Sequence, residues 1–127
     1  MAGLLVSGSL HADETEMEKG MGEVSDSLKQ LRKIDKGDHA AAAALVRKAH
    51  IALSKTMLYV PIVVKEMKDG VEKDKALADS RMILGQSYVA LCELELAYLE
   101  GDDAKIKAAA DKVKATKKDG HKKYTDD

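Results

Sequence analysis

The sequence predicts an all-α protein, an antiparallel up-down-up-down four-helix bundle, and three observations carry that prediction. Ala, Leu, Lys, Glu and Asp dominate a chain with one proline, Pro61, and neither Phe nor Trp, which is the composition of helices. Apolar residues recur at spacings of three and four through four segments, and no stretch alternates with the period of a strand. The segments are each roughly 20 residues, or about 30 Å of helix, and short polar breaks separate them, as antiparallel neighbours require. At 127 residues the chain is long enough for one domain with a real core.

The stretch from Gly3 to Ala12 is apolar and small, and it switches abruptly to Asp13-Glu14-Thr15-Glu16. It reads as the remnant of a secretory signal peptide cut after Ala12, so residues 1–12 are set apart from the bundle of residues 13–127. Helix 1 is expected from about Asp13 to Ile34. Met17, Met21, Val24, Leu28 and Leu31 form its heptad seam, and acidic residues crowd its first turn, where the helix dipole favours them. Gly20 and Gly22 flank Met21; each costs about 1 kcal/mol relative to alanine inside a helix, so a close neighbour is expected there.

Lys36-Gly37 breaks the chain, and Asp38 caps a second helix that runs to about Tyr59, with Leu45, Val46, Ala49, Leu53, Met57 and Val60 on its apolar arc. Pro61 ends or kinks it. Ile62 to Met67 reads as a further helical turn, and Asp69-Gly70 as a turn. Helix 3 is expected from about Lys75 to Glu100. Leu77, Leu84, Tyr88, Leu91 and Tyr98 mark its face, widened by Ile83, Val89, Cys92 and Leu96. Gly101 is a C-terminal glycine. Asp102 or Asp103 caps helix 4, whose face is Ile106, Ala110, Val113, Lys117 and His121, with Asp119-Gly120 a candidate early stop.

Several function classes have no support. A net charge of −1 favours neither nucleic acid nor an anionic membrane, and no segment is long and apolar enough to span a bilayer. The single cysteine, Cys92, forms no internal disulfide and reads as a small apolar group. There is no phosphate-binding glycine loop, no Glu-x-x-His pair of the di-iron bundles, and no constellation that would make the chain an enzyme.

Topology brings one set of residues together. In an up-down bundle the start of helix 1, the end of helix 2, the start of helix 3 and the end of helix 4 share one end, which collects Met17, Met21, Met57, Met82 and His121. A thioether and an imidazole facing each other there are a ligand pair for haem iron. Methionines with a histidine also suit Cu(I), so a haem-free copper-binding bundle is the alternative, and a purely structural or dimer-forming bundle is a third reading. Alone, Met21 on a heptad seam reads as a core residue and His121 as a cation placed at a helix C-terminus; it is their joint placement that points to ligation.

The run Met21-Gly-Glu-Val-Ser-Asp-Ser-Leu-Lys-Gln-Leu31 resembles the first helix of the soluble cytochrome b562 family. His121-Lys-Lys-Tyr124 resembles that family's His-x-Lys-Tyr terminus, and Leu99-Glu-Gly101, Ala108 to Ala110 and Val113-Lys114 resemble its entry into helix 4. Pro61 falls where the family also has a proline. The likeness spans about Glu14 to Tyr124 and is weakest from Ile62 to Ala78; Ser80 and Leu84 stand where the family packs aromatic residues on the haem. The resemblance implies a non-covalent haem b in a periplasmic electron carrier that serves a redox partner protein. It implies Met21 and His121 as the axial ligands and Lys117 as the basic residue near the propionates. The chain has no Cys-x-x-Cys-His, so covalent attachment is not expected.

Overall fold

A computed structural model describes the backbone of residues 2–124 and the side chains from Glu16 to Tyr124. Five helices account for it: α1 (Ala2–Lys33), α2 (His39–Ser54), α3 (Ile62–Lys65), α4 (Val71–Glu100) and α5 (Asp103–Tyr124). The fold is all-α, with no strand among the described residues.

Helix α1 begins at Ala2 rather than at Asp13, so the segment read as a leader remnant is continuous in backbone with the helix that follows. Its seam is as expected where side chains are described. Val24 is buried, and Met21, Leu28 and Leu31 pack on the core beside it. Asp38 caps α2 by accepting a hydrogen bond from the Ala41 amide at 3.1 Å.

Helix α2 stops at Ser54, short of the expected Tyr59. The Ser54 hydroxyl donates to the Ile51 carbonyl at 2.6 Å, and the Thr56 hydroxyl to the Leu53 carbonyl at 2.8 Å. Such back-bonding competes with the main-chain ladder and turns the chain out of the helix before Pro61 is reached. Pro61 instead opens α3, accepting from the Val64 and Lys65 amides. Gly70, at φ 149°, lies in a region that only glycine occupies freely. It starts α4 at Val71, one turn before the expected Lys75, with Glu72 and Asp74 in the favourable first turn.

Gly101 takes the left-handed conformation at φ 68°. The Asp102 amide reaches back to the Ala97 carbonyl at 3.2 Å, the closure that ends a helix at a left-handed glycine. Asp102, not Asp103, then caps α5 by accepting from the Lys105 amide at 3.1 Å. Asp119-Gly120 does not stop α5, which continues through Tyr124. Gly120 serves close packing instead: a Cβ placed there would lie 3.3 Å from the Ile83 side chain.

Each long helix packs on the next: α1 on α2, α2 on α4, α4 on α5, with α3 touching α4 and α5. Helices α1 and α5 make no comparable contact. The core is built of small and aliphatic residues, with Val46, Ala49 and Leu53 of α2 set against Ala90, Leu91 and Leu94 of α4. The alanines let these two helices approach closely. Val89 and Leu96, expected to widen the core face of this helix, are exposed instead.

Candidate functional site

Met21 is held on α1 by the way that helix meets the end of α2. Gly20, its neighbour, is buried, and a Cβ there would overlap the Thr56 methyl. The glycine is therefore explained by helix approach. Gly22 has nothing within 4 Å and needs no such explanation. The fully buried Thr56 hydroxyl lies 4.0 Å from the Met21 sulfur. Its one proton is taken chiefly by the Leu53 carbonyl at 2.8 Å, so the half-buried thioether keeps lone-pair capacity for another donor or a metal ion.

At the other end of the chain, Ile106 and Ala110 pack on the core and Val113 is buried within it. Lys117 and His121 continue the same line and are exposed. At 100° per residue they lie well round the helix from Lys112 and Thr116, which face an outer groove between α4 and α5. The last turn of α5 is fastened to α4 at Asp79. The Tyr124 hydroxyl hydrogen-bonds to the Asp79 carboxylate, and Lys123 lies 3.7 Å from it. Burial and that hydrogen bond push Tyr124 up to about 12. The tyrosine of the His-x-Lys-Tyr-like terminus thus has a structural role, holding in place the turn that carries His121.

Met82 does not join Met21 in the expected cluster of methionines. Met82 is 53% exposed and faces the α4–α5 groove of about 580 Å³, beside Gln86, Val89 and Lys112. Ser80, buried, gives its hydroxyl to the Leu77 carbonyl at 2.9 Å, and Leu84 packs against the core. Among the described residues, no three or more His, Cys, Asp or Glu side chains are grouped to hold a metal ion. Of the residues the resemblance implies as ligands, the Met21 thioether stands on α1 and the His121 imidazole on the last turn of α5. The two helices have far less backbone contact with each other than with their neighbours, and a thioether with an imidazole suits a b-type haem chemically.

One polar cluster was not legible in the sequence. Glu95 on α4 accepts from Arg47 Nε at 2.8 Å and pairs with His50 Nε2 at 2.6 Å, with the His50 and Glu95 side chains largely buried. Burial alone would raise the Glu95 carboxyl, but the hydrogen bonds from His50 and Arg47 outweigh it and hold the carboxyl below its ordinary value. The His50 ring meets Tyr88 edge-on at 5.5 Å, and its Nδ1 is buried with no hydrogen-bond partner. Burial pushes up the half-buried Cys92 thiol, one turn from Tyr88. His39 is partly covered at the opposite end of α2, 3.8 Å from Asp103 and with its ring tilted 49° to that of Tyr98.

No described helix is long and apolar enough to cross a membrane. No family model, curated protein or solved structure matches this chain. The likeness to the soluble cytochrome b562 family therefore rests on the residues quoted for it.

Proposed function

We propose that this chain is an exported, periplasmic electron carrier that binds one haem b without covalent bonds. Its four long helices would form an antiparallel up-down-up-down bundle, with α3 closing the end between α2 and α4. Met21 and His121 are the proposed axial ligands, and Lys117, one turn before His121, is the proposed contact for a propionate. The observation that carries the reading is the placement of the Met21 thioether on α1 beside the end of α2 and of the exposed His121 imidazole on the last turn of α5, positions that an up-down topology would bring to one end of the bundle.

The haem would supply a one-electron couple. The chain's own residues would do the rest. A soft thioether favours reduced iron and raises the potential, and imidazole binds both oxidation states. Held by Met21 and His121, the iron would be shielded from oxygen and suited to electron transfer with little reorganisation. A redox partner would meet the exposed edge at the end of α5, where Lys117, Lys118, Lys122 and Lys123 are interleaved with Asp119; an acidic partner surface would be steered there.

Single substitutions test the ligand assignment. In Met21→Leu and His121→Ala, the optical spectrum of the hemin-loaded protein is expected to shift from six-coordinate low-spin to a mixed or high-spin form. Unchanged spectra in both variants would remove the assignment. The alternative, a haem-free bundle taking Cu(I) through Met17, Met21 and His121, predicts loss of copper retention in the same variants without specific hemin binding.

A further inference from the structure

Helix α4 is apolar on two faces. One face, carrying Ile83, Ala90, Leu94 and Ala97, is buried in the core. About 100° or more round the helix lies a second seam. Met82, Val89 and Leu96 recur every seven residues and are 53%, 55% and 58% exposed. Val71 and Leu99 belong to the same seam and are exposed at 71% and 58%. Among the described residues, only Ile51 and Leu58 are large exposed hydrophobics elsewhere, so exposed apolar surface is concentrated on this one stripe.

The stripe has the spacing of a coiled-coil seam, three and four in alternation. One set of positions holds Lys75, Met82, Val89 and Leu96, and the other Ala78, Gly85, Cys92 and Leu99. A surface with a repeat of 3.5 residues over most of a 30-residue helix matches another helix of the same repeat. Its residues also say which one. From 78 to 96 the first set is large and the second is small. In an antiparallel pair each residue of one set faces one of the other. With a two-fold axis midway between Gly85 and Val89, Gly85 meets Val89 of the second copy, Met82 meets Cys92, and Ala78 meets Leu96. Every one of these layers sets a large side chain against a small one, which is how facing helices interdigitate. A parallel pair would stack Gly85 on Gly85 and Val89 on Val89, leaving voids beside crowded layers. Lys75 would face Leu99 at the ends, where its ammonium reaches water.

We infer that α4 is a dimerisation helix and that its outer seam pairs antiparallel with α4 of a second copy of this chain. The proposal is independent of haem binding. The rim suits protein rather than an anionic lipid surface. Glu93 is neutralised by Lys112 at 3.0 Å and Glu100 by Lys105 at 2.9 Å, and the net charge of the chain is −1. Two stripes about 36 Å long and about 10 Å wide cover roughly 400 Å² per copy in projection, more as accessible surface. That lies near the lower bound for a specific interface, about 1,000 Å² in total, so the dimer is expected to be concentration-dependent.

Sedimentation velocity of the full chain over a broad concentration series is the test. A reversible monomer–dimer equilibrium is expected, shifted to monomer by Val89→Glu and, independently, by Leu96→Lys, each with the circular dichroism of the parent. Under mild oxidation the Met82→Cys variant is expected to form a disulfide-linked dimer through Cys92 of the second copy, while the parent does not cross-link through Cys92 alone. A monomer at every concentration would overturn the proposal, whether or not it binds lipid vesicles or another protein. So would a dimer unaffected by either seam variant, or cross-linking of the parent through its own cysteine, which would require a parallel pair.

Discussion

Gly20 and Gly22 sit two residues apart in one helix and carry opposite expectations. Either glycine gives up about 0.5–1 kcal/mol of helix stability relative to alanine. At Gly22 nothing lies within 4 Å, so Gly22→Ala is expected to stabilise by about that amount in chemical denaturation. At Gly20 a new methyl would collide with the Thr56 methyl, which is fully buried. Gly20→Ala is therefore expected to destabilise by about 1–3 kcal/mol, and to disturb Met21 next to it. Tyr124 gives a pH-dependent counterpart. Its hydroxyl is pushed up to about 12 by burial and by Asp79. A group whose folded value is raised contributes stability that is complete below its unfolded value, about 10, and is lost as pH rises through 12. The parent should thus lose stability between about pH 10 and 12. Tyr124→Phe should lose less over that window and start lower, by about 1 kcal/mol or less for a surface-facing hydrogen bond. Identical pH profiles for the two proteins would show that the contact with Asp79 does not form.

Among the helices, the contact of α2 with α4 depends on a partner pair far apart in sequence. The depressed Glu95 carboxyl implies a contribution that is present above the ordinary glutamate value and is lost as pH falls through the lower folded value. Glu95→Gln is expected to cost about 1–3 kcal/mol, the range for a hydrogen bond to a charged group, and to flatten the acid limb of the stability profile. Chemical denaturation across pH 2–6 reads both. Nothing in the residues around 47, 50 or 95 announced this cluster. His50 lies on the edge of an apolar arc, and only the docking of two helices supplies the carboxylate. The same limit explains the element ends. Asp38, Gly101 and Asp102 act through neighbours within a few residues, and they were legible as caps and a stop. The early end of α2 comes from Ser54 and Thr56 turning their hydroxyls onto carbonyls, a choice a sequence permits but does not force. Val89 and Leu96 were legible as apolar, but not as outward: periodicity ranks a helix's faces only when one of them is polar, and α4 has two apolar faces.

For the molecule as a whole, the all-α class followed from composition and period alone, since no segment offered a strand's alternation. The seam of α1 and the apolar line of α5 were legible for the same reason. The relation between α1 and α5 was not, because it depends on how the intervening helices splay. Their sparse backbone contact, compared with that of neighbouring helices, leaves room for the proposed haem. It also makes the haem a structural element. A group that binds the folded chain and not the unfolded one stabilises it in proportion to the logarithm of its concentration over Kd, so hemin-loaded protein should melt several degrees above hemin-free protein, as thermal unfolding would record. The most direct measurement is a hemin titration of the full chain with optical spectra in both oxidation states. A saturable one-to-one complex is expected, whose reduced form has the sharp bands of a low-spin, six-coordinate b-type haem. Unsaturable uptake, or a high-spin spectrum unaltered by substituting Met21 and His121, would contradict it.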